Sequence, residues 1–166
     1  MKPNEILTLF EYSYWAFEKV WECADQLTDE QFTQDIGYSR GSIRNQIVHM
    51  MSATRRWIIR LNGGEMVTHL AFDDFPTRAA TKAKWNELRA EVLTYISSLT
   101  EADLDGKITW QLPDRGMSAK NTRWEILLHV ANHATDHRAQ MLTVLNLYFG
   151  IETVEQDMIF YLAEPK

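Results

Sequence analysis

Two histidines, His133 and His137, stand four residues apart in a run from Glu125 to Gln140 that reads as one helix. Residues at that spacing stack on one face of a helix, so their imidazoles can converge on a single point. A helix that offers two ring nitrogens in this way can hold a divalent metal, and a third nitrogen from a facing helix completes a three-nitrogen site with open positions. His49, in a separate helix-like stretch far upstream, is the candidate third donor.

The spacing alone leaves alternatives. The pair lacks the Glu that lies between the histidines of a metalloprotease helix, and a histidine on an apolar helix is often a hydrogen-bonded core residue. His129 lies one turn before His133. The ladder of His129, His133 and His137 drifts by about 40° per step and spans roughly 12 Å of helix, so one cation cannot readily take all three. His129 therefore reads as a packed imidazole or as support for the others. His69, in a connection, reads as exposed. Asn45 and Arg56 share the polar side of the His49 stretch, and polar residues turned toward a bundle interior need partners or a site. Asp136 points about 60° from His133 and about 100° from His137, which suits solvation better than imidazole orientation. Arg138 is open between a structural ion pair and an anion contact. No residue stands out as an independent catalytic acid or base.

Four segments carry the helical periodicity that must position these groups. The first runs from about Asn4 to Leu27 on Ile6, Phe10, Tyr14, Phe17, Trp21, Ala24 and Leu27. The second follows Gly41 with Ser42 as N-cap, uses Ile43, Ile47, Met50, Thr54, Trp57 and Leu61, and stops at Asn62-Gly63-Gly64. The third runs from after Pro76 to about Leu99. The fourth opens on a capping box, Thr122 with Glu125, and reaches about Phe149. It is apolar around much of its circumference and should be central. Residues 63–76 form a long connection suited to a pocket rim. Alternation of Ile108, Trp110 and Leu112 before Pro113-Asp114-Arg115-Gly116 predicts a short hairpin between the third and fourth helices. Thr28 and Thr100, each followed by acids, predict two short helical turns after the first and third helices. The expected fold is an all-α four-helix bundle, one domain over residues 1–166, with connections too long for simple up-and-down topology.

Composition narrows the class. The chain has 166 residues, 45% hydrophobic and 24% charged, as expected of one globular domain. A net charge of −6 argues against nucleic acid, and the basic trio Arg55, Arg56 and Arg60 is too small to reverse that. The single cysteine, Cys23, excludes an internal disulfide and reads as a buried inert thiol. No apolar run approaches the ~20 residues that cross a bilayer, and Met1-Lys2-Pro3-Asn4-Glu5 lacks the order of a secretion signal. A soluble, cytoplasmic protein that self-associates through spare apolar surface is expected.

Three stretches resemble the DinB/YfiT-like family of four-helix-bundle metalloproteins. They are Gly41-Ser42-Ile43-Arg44-Asn45 leading through His49 to Trp57; Leu127-Leu128-His129-Val130-Ala131-Asn132-His133; and His137-Arg138-Ala139-Gln140. The closing Phe160-Tyr161-Leu162 is also similar, so the likeness covers nearly the whole chain. Carried over by position, the family's metal ligands fall on His49, His133 and His137. The resemblance implies a homodimer and a metal-dependent enzyme acting on a small molecule, with low-molecular-weight thiol transfer or hydrolysis as the reaction class. The expected cofactor is a divalent metal ion, with zinc, nickel or iron as the candidates, since imidazole suits each (copper too). A non-catalytic metal-binding or stress-response bundle is the alternative.

Overall fold

The computed structural model describes residues 1–165, and of Asp114 the backbone only. Helix α1 spans Pro3–Ala24, α2 Asp29–Thr33, α3 Ile43–Leu61, α4 Arg78–Ser97, α5 Glu101–Asp105, α6 Arg123–Leu147 and α7 Met158–Ala163. Strands β1 (Lys107–Leu112) and β2 (Met117–Thr122) pair antiparallel, with Lys107 opposite Thr122 and Leu112 opposite Met117. The four long helices are those expected from periodicity, and the hairpin lies where alternation put it.

Local chemistry sets the helix starts. The Ser42 hydroxyl accepts from the Asn45 amide at 3.1 Å, and the Thr77 hydroxyl accepts from Ala80 at 3.2 Å. The two short turns are real: Thr28 with Gln31 and Thr100 with Asp103 form full capping boxes. At α6 the Glu125 carboxylate accepts from both the amide and the hydroxyl of Thr122. The hairpin runs straight into that cap, and the Arg123 amide donates to the Gly106 carbonyl at 2.9 Å. Gly116 supplies the left-handed φ of +61° that the hairpin turn requires.

The main packing partners place α1 between α4 and α6, and α3 also between α4 and α6. Consecutive helices α1 and α3 are thus diagonal, as are α4 and α6. A simple up-and-down bundle would make consecutive helices neighbours, so the long connections do carry a crossed topology. Its consequence for function is direct: α3 and α6, which bear the histidines, face each other.

Every apolar residue marking the α1 stripe is buried. Trp85 of α4 stacks on Phe17 of α1 at 3.8 Å and meets the edge of Tyr14 at 5.7 Å. Cys23 is buried with its thiol toward the Glu152 carbonyl, and burial pushes the thiol up, away from nucleophile chemistry. Among the described residues Arg138 has no ion-pair partner, and it lies away from the surface. It is 2% exposed and donates to the Ser13 carbonyl and hydroxyl, the Tyr12 hydroxyl and the Thr135 hydroxyl. It ties α6 to α1. Helix α6 is less apolar in effect than its composition suggests, because Leu128 and Leu147 face solvent. In the C-terminal segment, Tyr161 packs on Tyr12 and Trp15 of α1.

Trp85→Ala removes the ring that joins α4 to α1. It should lower unfolding free energy by about 3–5 kcal/mol, read as a reduced urea midpoint at unchanged slope.

Candidate metal centre

His49 projects from α3, and His133 and His137 project from α6. One ligand-capable nitrogen from each lies within 4.8 Å of the other two. The Nε2 atoms of His49 and His133 are 3.3 Å apart, and the His49 and His137 ring centres are 4.8 Å apart. Such a cluster can hold one metal ion. The facing of α3 and α6 makes this convergence, which no local spacing can supply.

Two neighbours orient the rings. Gln46, one turn before His49 and 1% exposed, places Oε1 2.9 Å from His137 Nδ1. An amide oxygen only accepts, so His137 carries its proton on Nδ1 and keeps the Nε2 lone pair for the cluster. Arg40, on the loop before α3, places a guanidinium nitrogen 3.3 Å from His49 Nε2. Arginine only donates, so it uses the lone pair that a cation would take. That loop is closed by the Ile36 amide on the Gly41 carbonyl at 2.7 Å, with Gly41 at φ +90°. A Cβ there would meet the Asp35 carboxylate at 3.1 Å, so glycine is needed for conformation and for space.

Burial dominates the electrostatics. Desolvation, then Arg40, then the other histidines push His49 down to about 3. Desolvation, followed by His137 and His129, pushes His133 down to about 4. His137 is lowered as well, again mainly by burial, with Asp136 opposing. Near neutral pH all three rings are therefore uncharged, the form in which imidazole donates to a metal.

The cluster forms the floor at one end of an open cleft of about 490 Å³, to which His49 and His133 contribute. Trp57 and Trp110 make edge-to-face contact at 5.6 Å along its wall, and the Trp110 indole donates to Asn121 Oδ1. Trp110 thus both packs and lines the cleft. His129 lies outside the cluster, against Trp57, and is exposed. His69 is exposed, as its place in the connection suggests, yet it lines the cleft and meets Ser52 and Arg56. Asn45 does not turn to the site. It braces the loop instead, donating to the Arg40 carbonyl and accepting from Arg44. Asp136 is exposed and accepts from Gln140.

Sequence reading missed Gln46, Arg40 and the joint role of Arg56, Arg60 and Arg115 on the cleft. A signal existed for Gln46, a polar residue three before His49 and so on the same face of the helix. None existed for Arg40 and Arg115, because loop and turn residues carry no periodicity.

A mostly helical bundle that gathers three imidazoles from two facing helices beside an open cleft defines a class of helical-bundle proteins with a cluster able to hold a metal ion. A model of the DinB family matches residues 1–164, and the chain belongs to that family. It is 28% identical over 164 residues to Protein DinB of Bacillus subtilis (strain 168), covering 95% of this chain and 94% of that protein. It is also similar to the crystal structure of a DinB-like protein from Bacillus cereus ATCC 10987, with a TM-score of 0.57 at 22% identity. That match covers 89% of this chain and 94% of the other, a likeness of fold. No helix among the described residues is long and apolar enough to cross a membrane.

In the unfolded chain each imidazole titrates near 6.5, so between that value and the lower folded values the unfolded state binds more protons. Stability of chelator-treated protein should therefore fall as pH drops from about 6.5 toward 4. The carboxylates with lowered values, Glu30, Asp103 and Glu125, act only below about 4.5. A His49→Phe, His133→Phe double variant should show a flatter urea midpoint between about pH 6.5 and 4.5. An unchanged slope would mean that burial does not hold these rings neutral.

Proposed function

We propose that the protein is a metal-dependent enzyme, one domain over the whole chain. His49, His133 and His137 hold a divalent cation, zinc, nickel or iron, beside which a low-molecular-weight thiol or a water is activated. The observation that carries this reading is the meeting of three uncharged imidazoles, two of which, His49 and His133, line a cleft open to small molecules. The donor set fits: three neutral nitrogens leave a divalent cation its charge and at least one free coordination position. When bound, such a cation supplies a Lewis acid that brings a thiol or water toward its anionic, nucleophilic form at neutral pH.

The chain's own residues do the rest. Gln46 fixes the His137 tautomer, so that ring donates without first losing a proton. Trp57 and Trp110 present an apolar wall that limits water around the reacting atoms. The nearby carboxylates are engaged elsewhere, Glu125 on the Thr122 cap and Asp136 with Gln140 in solvent, so neither is offered as a general base. A purely structural metal site would be closed to solvent, and the open cleft favours the catalytic reading over a non-catalytic bundle. Self-association belongs to the same reading: Leu147, 80% exposed, lies with Tyr38 and Tyr148 on an apolar patch that a second copy would cover.

Protein purified without chelator or nickel affinity resin should carry about one metal per chain by mass spectrometry. His133→Ala should abolish that content and His129→Ala should keep it, while Gln46→Leu should weaken affinity by about 10–100-fold. Equal behaviour of the two histidine variants would remove the assigned ligand set. Metal-reconstituted protein should also accelerate conjugation of glutathione or cysteine to 1-chloro-2,4-dinitrobenzene, and His133→Ala should not. If stripping the metal lowers Tm while no thiol or hydrolytic reaction is found with any reconstituted form, the non-catalytic bundle is the correct reading.

A further inference from the structure

Among the described residues, the cleft above the imidazoles is lined by three arginines and one glutamate in a protein whose net charge is −6. Arg56 and Arg60 of α3 and Arg115 of the hairpin turn all line it. Arg56 and Arg60 are four residues apart on one helix face, a like-charge spacing that is unfavourable for the helix by itself. Among the described residues none of the three pairs with a carboxylate, whereas Arg44, Arg78 and Arg89 each do. Glu125, the acid on the cleft among the described residues, is held by Thr122 and Asn121 at the start of α6.

Arg56 and Arg60 contact an aromatic ring, a thioether and an imidazole. Arg60 lies over the Trp57 ring at 4.9 Å and donates to Met66 Sδ at 3.0 Å. Arg56 donates to the His69 ring, and its Nε is buried with no hydrogen-bond partner. Burial, and then the Arg56 charge, lower the Arg60 guanidinium below its usual range. Two half-buried cations of one sign, with a donor left unsatisfied, form an arrangement that an incoming anion would relieve. Guanidinium groups match the paired oxygens of carboxylate and phosphate better than any other side chain.

We infer that the cleft selects a substrate bearing an oxyanion, a carboxylate or phosphate, bound by Arg56 and Arg60 with Arg115. The rest of the substrate lies along Trp57 and Trp110 and directs its reacting end toward His49 and His133. The cleft volume of about 490 Å³ suits a small organic molecule of this kind. This inference rests on the cleft being the substrate site proposed above, but it does not need a metal to be present.

The test uses the full chain stripped with chelator, so that no cation can ligate the probe, and reads binding by tryptophan fluorescence and calorimetry. The probes are 3-phenylpropionate, its uncharged counterpart 3-phenylpropan-1-ol, and phenyl phosphate. The anionic probes should bind at least about tenfold more tightly than the alcohol, and raised salt should reduce the difference. Which anion binds better distinguishes carboxylate from phosphate recognition. Arg60→Gln and Arg115→Gln should each lose about tenfold in anion affinity while leaving the alcohol unchanged. Arg115 sits exposed in a turn, so its replacement keeps the test valid even if the α3 variant folds poorly. Equal affinity for the acid and the alcohol overturns the inference, as does no detectable anion binding up to millimolar concentration. Failure of the metal proposal shows up separately, as absent metal content in protein that still prefers anions.

Discussion

The contact between α3 and α6 is the constraint on which the rest of this molecule depends. It brings His49 against His133 and His137, burying His137 and half-burying the other two in a region from which water is partly excluded. Burial favours the uncharged ring, so the same packing that builds the cluster also puts it in the protonation state that donates lone pairs. No acidic residue among the described ones is needed to hold the rings in place. Gln46 does so through its amide oxygen, and Arg40 approaches from the opposite loop.

That polar seam sits in a bundle whose core is otherwise aromatic and aliphatic. The stack of Trp85 on Phe17 closes the side of the bundle formed by α1 and α4, away from the histidines. Arg138 crosses between α1 and α6 with its two terminal nitrogens held by hydroxyl and carbonyl oxygens, a way of burying a guanidinium without an acid beside it. The contrast with the cleft is informative. Inside the bundle a cation has several oxygen partners, while Arg56 and Arg60 on the cleft have an aromatic face, a thioether and an imidazole. The buried guanidinium is tied to oxygens of the bundle, whereas those on the cleft lie where a ligand can reach them.

The crossed order of the helices connects these features. Because α1 and α3 are diagonal, the residues between them form a loop that carries Arg40 to the end of the cluster. Because α4 and α6 are diagonal, the hairpin joining them projects Trp110 and Arg115 over the cleft. The long connections are where the walls of the site come from, and the bundle supplies its floor.

Much of this was written in local sequence. Apolar spacing marked the four long helices, Ser42, Thr28 and Thr100 marked starts, and alternation before Pro113 marked the hairpin, because each of these signals is satisfied within a few residues. The His133 and His137 pair was equally legible, since four residues along a helix fix a shared face. Tertiary structure alone decided that His49 meets that pair and that Gln46 rather than Asn45 supports it. It also decided that Arg56, Arg60, Arg115, Trp57 and Trp110 line one cleft. Those relations join segments many residues apart, and they follow from which helix lies beside which. A periodic pattern specifies the buried face of a helix, but the partner of that face is chosen by the packing of the whole chain.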